Sequence, residues 1–308
     1  MSKSILIIGS LNMDMTIPVE ELPQKGETIL GGSPSYIPGG KGANQACAAG
    51  KLGGRVAMLG KVGRDQMGRA LKENLAAAGV DVSHVEETSD APTGMAVIYV
   101  DKRGSNSIVV IPGANACCDR AYVEANEALI AAHDIIVLQL EIPYDAVFAA
   151  VRLAKKHGRM VVLNPAPAPD SLPDEVISAL DYFTPNETEL ARIAGMAAGS
   201  VREAEAAGKR LVEKGVGTVL ATLGEAGALL VTREEARLVP ALRVDAVDTT
   251  AAGDTFNGAF VTALAEGTPE AEAIAFANKA AAISVTRKGA QTSIPTREEL
   301  DAWQPPRP

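Results

Sequence analysis

The chain has 308 residues, of which 47% are hydrophobic and 22% charged, with a formal net charge of −9 at pH 7. These values are ordinary for a globular α/β protein, and a negative chain without a Lys/Arg cluster is not a general nucleic-acid binder. Three cysteines without framework spacing indicate a reducing, cytoplasmic setting, while the scattered histidines and the absence of CxxC disfavour zinc.

The first residues, MSKSILIIGS, are typical of a strand rather than a signal peptide, and no segment has the length of a membrane span. The continuous apolar run Ile5–Ile8 predicts a parallel strand covered on both faces. Asn12 and Asp14 follow it, and ligands of open α/β sheets bind beyond the carboxyl ends of strands. These side chains suit recognition of sugar hydroxyls, although a turn rich in Asn and Asp explains them equally well.

Residues 15–38 carry no helical period and contain β-forming residues, which predicts short strands. The glycine-rich segment Pro38–Ala46 (PGGKGANQA) is predicted to be a loop that leads into a helix over Ala46–Leu52. Its glycines permit close approach of a ligand, and Asn44 offers a donor and an acceptor. No Gly-Lys pair is followed by Ser or Thr, and no GxGxxG follows a strand, so neither a Walker loop nor a dinucleotide oxidoreductase is indicated.

The next elements predict a small second sheet. Val56–Leu59 is a candidate strand and Gln66–Ala78 a candidate helix. Two β-rich runs, Thr93–Val100 and Ser107–Ile111, flank a turn signal and predict a hairpin. Together with residues 15–38, this hairpin predicts a β-sheet inserted at approximately 13–40 and 92–112 into a single domain spanning residues 1–308. A sheet at the mouth of a site suits a lid that excludes water.

From residue 120 onward, helical and strand-length patterns alternate regularly, which predicts a parallel sheet with helices on both faces. The candidate elements are Tyr122–Ala131, Ile135–Gln139, Tyr144–His157, Met160–Leu163, Val216–Leu223 and Pro269–Val285. In the stretch TPNETE, Asn186 and Glu189 lie three residues apart, a spacing that suits hydrated Mg²⁺ or phosphate oxygens. A helix cap with a first-turn Glu explains the same pattern. The turn Thr222–Gly227 fits either a nucleotide phosphate or a simple hairpin. The Pro-rich end 304–308 is disorder-like.

The run Asp245–Phe260 (DAVDTTAAGDTFNGAF) combines small residues, a carboxylate and an apolar set at helical spacing. It predicts a small-residue turn that opens a helix, whose first N–H groups are unpaired and favour an anion such as a transferring phosphoryl group. Asp254 stands beside that anion, where a general base for a substrate hydroxyl is needed. An ordinary N-cap aspartate explains this stretch about as well.

Two motifs in this order, PGGKGANQA and DTTAAGDTFNGAF, resemble the paired signatures of the ribokinase-like carbohydrate kinase family. The segments GSLNMD, LNPAPA, TPNETE, TLGEAG and TRKGAQTS extend the resemblance over nearly the whole chain. It implies a three-layer α/β fold with a mostly parallel central sheet and a small inserted β-sheet lid. It also implies ATP-dependent phosphorylation of the 5-hydroxyl of D-ribose. Alternatives are a kinase of 2-deoxyribose or another small sugar, or an inactive sugar-binding regulator, which would not need the Asp254 base.

The resemblance also implies residue roles. Asp254 is then the base, and the amides of Ala251, Ala252 and Gly253 form the anion hole; many relatives have Gly at position 251, so Ala is a mild departure provided its φ is negative. The implied sugar-binding residues are Asn12, Met13, Asp14, Gly40, Lys41, Gly42, Ala43, Asn44, Glu141 and Asp254. The implied nucleotide-binding residues are Asn186, Glu189, Thr222, Leu223, Gly224, Glu225, Ala226, Gly227, Gly253, Asp254 and Asn278.

Two ions and a partner follow from the resemblance as well. Mg²⁺ is expected beside the TPNETE stretch that contains Glu189. A monovalent cation, K⁺, is expected to order loops beside the anion hole, mostly through backbone carbonyls. The implied positions are Asp248, Thr250, Ser284, Arg287, Gly289 and Ser293. Because relatives with the inserted sheet often pair through it, a homodimer is expected too.

Overall fold

The computed structural model describes residues 2–304, so all but the first residue of the Pro-rich end lies outside the described residues. The largest feature is a nine-stranded sheet in which every neighbouring pair is parallel except the last two pairs at one edge. Its strands, in spatial order, are β13 (Ala236–Val239), β12 (Ala228–Val231), β11 (Thr218–Thr222), β10 (Tyr182–Phe183), β9 (Met160–Leu163), β8 (Ile135–Leu138), β1 (Ile5–Ile8), β4 (Val56–Gly63) and β5 (Val85–Thr88).

Alternate residues of β1 enter two different hydrophobic cores, as expected for a strand with both faces covered. Ile5 and Ile7 lie in one core, and Leu6 and Ile8 lie in the other, all with no solvent exposure. Since β1 has a parallel neighbour on each side, it occupies the middle of the sheet. The predicted three-layer α/β fold is confirmed.

Helices cover both faces of this sheet. The core that contains Ile5 is closed by α1 (Lys41–Lys51), α2 (Gln66–Ala77), α9 (Ala252–Glu266), α10 (Glu270–Val285) and α11 (Arg297–Ala302). The opposite core is closed by α3 (Arg120–Ala125), α4 (Glu127–Ala132), α5 (Tyr144–Lys156), α6 (Asp174–Ile177), α7 (Glu187–Ala194) and α8 (Val201–Glu213). Because the strands from β11 to β5 all run parallel to their neighbours, their carboxyl ends lie at one edge of the sheet.

A second, four-stranded sheet stands apart from the large one. Its spatial order is β3 (Ser35–Gly39), β2 (Asn12–Pro18), β6 (Gly94–Val100) and β7 (Asn106–Ile111). The predicted hairpin is present as the antiparallel pair of β6 and β7. The two sequence segments join through β2 and β6, which run parallel, so residues far apart in sequence build one small sheet.

Two local predictions were wrong. The helix predicted to start at Ala46 begins five residues earlier, at Lys41, so most of the glycine-rich segment is helical. Only Gly40, with φ 88°, has the left-handed conformation that favours glycine, and it directly precedes the helix. The helix predicted over Tyr122–Ala131 is divided into α3 and α4 at Asn126. The side-chain amide of Asn126 donates to the carbonyl of Tyr122, one turn earlier.

No helix within residues 2–304 is long and apolar enough to cross a membrane.

Candidate active site

A cavity of about 210 Å³ opens at the carboxyl edge of the large sheet. Strand ends, the turn before α9 and the first turns of three helices contribute its walls. The lining residues are Lys41, Asn164, Ala166, Thr184, Asn186, Glu189, Thr222, Thr249, Ala251, Ala252, Gly253, Asp254 and Asn257. Eight of them were predicted as site residues: Lys41, Asn186, Glu189, Thr222, Ala251, Ala252, Gly253 and Asp254.

Asp254 lies in the first turn of α9, with only 7% of its surface exposed. Its carboxylate accepts hydrogen bonds from Asn44 Nδ2 at 2.9 Å and Gln45 Nε2 at 3.1 Å, both on α1. The N-cap of α9 is Ala251, and no side chain within the described residues caps this helix. The ordinary N-cap interpretation of Asp254 therefore does not hold, because its carboxylate is directed at another helix across the cavity wall.

Ala251, immediately before this helix, has a left-handed backbone with φ 58°. It is the one non-glycine residue with positive φ in the described part of the chain. Ala was expected to be a mild departure from Gly only if its φ were negative, and that condition is not met. A side chain in the left-handed conformation costs about 1 kcal/mol. The conformation turns the chain sharply into α9, which leaves Ala251, Ala252 and Gly253 on the cavity wall. Strain of this kind is concentrated at functional sites.

A charged cluster lies beside Asp254. Burial, reinforced by Glu141 and Asp254 and opposed by Lys41, raises the pKa of Asp14 to about 7. Burial tends to lower the pKa of Lys41, but the surrounding carboxylates raise it above its ordinary value, so this side chain stays protonated. Glu141 is held by Ser10 Oγ at 2.6 Å and by the backbone N–H of Lys41 at 3.0 Å. One ammonium group is therefore surrounded by four carboxylates, those of Asp254, Glu141, Glu189 and Asp14, whose hydrogen-bonding capacity suits a polyhydroxylated ligand.

The pKa of Asp14 predicts an effect of pH on stability. The folded state holds this proton more tightly than the unfolded state, where the pKa is about 3.8. The folded protein therefore loses stability as pH rises from about 4 to about 7, and the loss is complete above pH 7. Asp14→Asn removes it and should raise the unfolding free energy at pH 8 by roughly 1–3 kcal/mol. Urea titrations at pH 5 and pH 8 test this; an equal effect at both pH values contradicts it.

The orientation of Asn12 is fixed by Asn115, a residue of the short 3₁₀ turn Gly113–Cys117. Asn115 accepts from the N–H of Leu11 at 2.9 Å and donates to its carbonyl at 3.2 Å. Asn115 Nδ2 also donates to Asn12 Oδ1 at 2.7 Å. Asn12 Nδ2 has no partner within residues 2–304, so the side chain retains a donor for a ligand acceptor.

The residues implied for nucleotide binding divide into two groups. Asn186 and Glu189 form a reciprocal capping box at the start of α7, and both also line the cavity. The predicted cap is therefore present, while the cavity position keeps a ligand role open. Burial raises the pKa of Glu189. The backbone hydrogen bond from Asn186 and the charge of Lys41 oppose this rise.

The turn Thr222–Gly227 is the hairpin that joins β11 to β12, and only Thr222 reaches the cavity lining. Asn278 is not among the residues that line the cavity, and its Nδ2 donates to the carbonyls of Val239 and Pro240. Met13, Ala43 and Leu223 are buried in the hydrophobic cores, so they offer a ligand their backbone groups alone.

Five of the six residues implied for a monovalent cation lie on two loops that hydrogen-bond to each other, and Ser284 lies in the last turn of α10. The Asp248 carboxylate accepts from the N–H groups of Thr250 and Gly289, each at 2.9 Å. Burial opposes ionisation, but these bonds hold the pKa of Asp248 below its usual value. Ser284 and Ser293 donate their hydroxyls to nearby carbonyls, and Arg287 forms a two-point ion pair with Glu299. The groups left to coordinate a cation are carboxylate and carbonyl oxygens, which suit a hard cation.

Sequence reasoning missed several polar residues of the site. Gln45, Asn164, Thr184 and Asn257 form hydrogen bonds beneath Asp254, and Gln291 donates to Asn44 Oδ1 at 3.1 Å. A signal was present: Asn257 sits three residues after Asp254, among the buried Phe256 and Phe260. A polar side chain on the apolar face of a helix requires a buried partner.

The sequence profile of the pfkB family carbohydrate kinases matches residues 2–297. The chain belongs to this family. It is 46% identical over 299 residues to the ribokinase of Haemophilus influenzae, with 97% of each chain covered. It is 39% identical to the deoxyribokinase of Salmonella typhi, covering 97% of this chain and 98% of that protein.

The same family relationship is visible in three dimensions. The structure of Arabidopsis thaliana ribokinase complexed with ribose and ATP superposes with a TM-score of 0.91 at 34% identity, covering 97% of this chain and 98% of that one. Membership in the pfkB family makes this protein a carbohydrate kinase, and the cavity at the α9 turn is the candidate for its active site.

Proposed function

We propose that this carbohydrate kinase transfers the γ-phosphoryl group of ATP to the 5-hydroxyl of D-ribose, giving D-ribose 5-phosphate and ADP. The observation that carries the proposal is the position of Asp254, which shares one cavity wall with the Ala251–Gly253 turn. A base and an anion-binding helix start thus lie side by side. The identity to ribokinases over nearly the full chain supports ribose as the acceptor.

In the proposed mechanism, Asp254 accepts the proton of the ribose 5-hydroxyl while that oxygen forms a bond to the γ-phosphorus. The bond between the γ-phosphorus and the bridging oxygen of ADP breaks, so ADP leaves with the electron pair. Asn44 and Gln45 each donate an amide hydrogen bond to one oxygen of the Asp254 carboxylate, which fixes the orientation of the base.

The charge that develops on the transferring group is met by the start of α9. Ala251, Ala252 and Gly253 line the cavity at the positive end of the helix dipole. The N–H of Ala252 also donates to the carbonyl of Thr249 at 3.2 Å, so this amide has to be shared with, or released to, the phosphoryl group. Lys41 adds a positive charge in the same cavity. Positioning and charge stabilisation account for most of phosphoryl-transfer catalysis, so little else is required of the protein.

We assign the ribose hydroxyls to Asn12, Asp14, Lys41 and Glu141, with the backbone of Gly40–Asn44 against the ring. The adenosine phosphates lie along Asn186, Thr222 and Gly253, next to Glu189. The residues present fit Mg²⁺, because Glu189 retains a carboxylate oxygen beyond its capping bond, and Mg²⁺ is usually held by one or two carboxylates plus phosphates. When bound, this ion neutralises phosphate charge.

A K⁺ ion, if held by the carbonyl-rich loops around Asp248 and Gly289, would order the segment that continues into the Ala251 turn. Gln291, on the second of these loops, donates to Asn44, which in turn donates to Asp254. The order of these loops therefore bears on the placement of the base.

A second acceptor, 2-deoxyribose, is favoured by the 39% identity to a deoxyribokinase. The two sugars differ by one hydroxyl, and a binding group that loses its partner discriminates strongly between such substrates. Asn12 retains a donor for this purpose.

We therefore predict that Asn12→Ala raises KM about tenfold for ribose and less than threefold for 2-deoxyribose. Steady-state kinetics on both sugars give the two ratios. An equal rise on both would remove Asn12 from hydroxyl recognition.

The proposed function is tested by ADP release from MgATP with ribose, 2-deoxyribose, fructose or adenosine, each with and without K⁺. We expect turnover with ribose, stimulated by K⁺. Turnover with another sugar would keep the mechanism and change the acceptor. Binding of ribose by calorimetry without turnover of any sugar would instead favour the sugar-binding regulator.

We further propose that the described chain acts as a single domain whose small sheet is a lid and a dimer contact. Its outer strand β7 exposes Ile108, Val109, Val110 and Ile111, each between 43% and 53% exposed. Exposed apolar strands of this kind are interaction surfaces. Sedimentation velocity should give a dimer, and Val109→Asp a monomer.

Three free cysteines are consistent with a cytoplasmic location.

A further inference from the structure

We propose that a closed ring of buried polar side chains positions Asp254 and the turn that precedes it. Its members besides Gly253 and Asp254 are Gln45, Asn164, Thr184 and Asn257, each 7% exposed or less. The proposal rests on the kinase function above, in which Asp254 is the base. It adds positioning residues that act through Asp254 and Gly253.

One half of the ring joins α1 to two strand ends. Gln45 Nε2 donates to Asp254 Oδ1 at 3.1 Å and to Asn164 Oδ1 at 3.2 Å. Asn164, just after β9, donates through Nδ2 to the carbonyl of Thr184 at 2.8 Å. Thr184 follows β10, so the carboxyl ends of neighbouring parallel strands carry this half.

The other half returns to the anion-binding turn. Thr184 Oγ1 donates to Asn257 Oδ1 at 2.6 Å, and Asn257 Nδ2 donates to the carbonyl of Gly253 at 2.8 Å. Since Gly253 is bonded to Asp254, the chain of contacts closes on itself. One network thus holds both the base and the backbone that would face the phosphoryl group.

The ring has a single consistent assignment of donors and acceptors. The carbonyls of Gly253 and Thr184 and the carboxylate of Asp254 act only as acceptors. Asn257 must therefore turn its amide nitrogen to Gly253 and its oxygen to Thr184, whose hydroxyl must donate. Asn164 must likewise turn its amide nitrogen to the carbonyl of Thr184, which leaves its oxygen to accept from Gln45.

Gln45 completes the assignment. Its nitrogen serves two acceptors, and its Oε1 accepts from Gln139 Nε2 at 2.7 Å. Each amide and hydroxyl within the ring has a partner, whereas Gln139 Oε1, outside the ring, is buried without one among the described residues. A ring with one arrangement holds one geometry, and satisfied buried networks are rigid. A displacement of about 1 Å at a reacting group can cost on the order of 100-fold in rate, so this rigidity matters for turnover.

Thr184→Val tests the ring, because it removes the hydroxyl with little change in shape and leaves Asn257 Oδ1 buried without a donor. We expect kcat to fall about tenfold or more, with KM for ribose and ATP within about threefold of wild type. Thr184→Ser restores the hydroxyl and should recover most of kcat. Gln45→Met breaks the ring from the side that does not line the cavity and should act the same way.

The matched control is Thr262→Val. Thr262 is fully buried on the same helix as Asp254, and its hydroxyl donates to the carbonyl of Gly258 at 2.8 Å, outside the ring. We expect this variant to keep the wild-type kcat. A wild-type kcat in Thr184→Val, or an equal fall in Thr262→Val, overturns the proposal.

Crystal structures of wild type and Thr184→Val separate this proposal from the proposed function. A displaced or doubly placed Asp254 carboxylate in the variant supports the ring, whichever sugar is the substrate. An unmoved carboxylate overturns it. Absence of wild-type turnover on every sugar overturns the kinase mechanism, and the crystallographic comparison still decides the role of the ring.

Discussion

Asp254→Asn should lower kcat by roughly 10²–10⁴-fold, the usual contribution of a positioned general base. The substitution preserves the shape of the side chain and removes its ability to take a proton from the acceptor hydroxyl. Binding should change little, because the Ala251–Gly253 amides and the other sugar-binding residues are untouched and the amide can still hydrogen-bond a hydroxyl. Calorimetric Kd values for ribose and ATP should therefore stay within about threefold of wild type, while a coupled ADP assay reports the loss of turnover.

The structure adds a condition to this experiment. Asn44 and Gln45 both donate to the carboxylate, so an amide at position 254 turns its own donor toward one of them. We expect a loss of about 1–2 kcal/mol in unfolding free energy, which calls for assays well below the melting temperature. Asp245→Asn, at an exposed position on the same segment, is the control and should behave as wild type. Normal turnover in Asp254→Asn would remove this residue from the base role.

Much of the fold could be predicted because local pattern and burial agree. Ile5–Ile8 is apolar at every position, and a strand covered on both faces requires that. The strand Met160–Leu163 matches its predicted bounds, and the hairpin around the turn Asp101–Gly104 is present. These elements are specified by near neighbours in the sequence.

The start of α1 could not be predicted in the same way. Gly40 and Gly42 are indicators of a loop, but an added Cβ on Gly42 would lie 2.7 Å from the backbone nitrogen of Ser10. Gly42 is therefore required by close packing of the helix on the turn after β1, not by a loop conformation. Tertiary contact overrides local propensity here.

The residues of the candidate site likewise fall into two groups, those specified by the local sequence and those set by tertiary contacts. Residues within quoted motifs, such as Lys41 and Asp254, lie in the cavity because each motif follows a strand or opens a helix. Their partners could not be predicted, since Gln45 and Asn164 meet only through the crossing of α1 over the sheet. The positive φ of Ala251 was also beyond prediction, because alanine has no preference for that conformation.

Gly258→Ala should damage both stability and turnover, although Gly→Ala inside a helix normally gains about 0.5–1 kcal/mol. Gly258 lies where α9 crosses α1, and an added Cβ would stand 2.5 Å from Ala48 Cβ and 2.6 Å from the carbonyl of Gln45. Contacts of this length force the helices apart. We expect unfolding free energy to fall by about 1–3 kcal/mol, as in other overpacked cores.

The loss of turnover follows from what the two helices carry. Asn44 and Gln45 on α1 hold the carboxylate of Asp254 on α9, so separation of the helices lengthens both hydrogen bonds at once. We expect kcat to fall at least tenfold below the melting temperature, because placement of the base depends on this crossing. Gly199→Ala is the control, since its added Cβ would have no neighbour closer than 3.7 Å. A destabilised Gly258→Ala with the wild-type kcat would show that the helix crossing supports the fold without setting the position of Asp254.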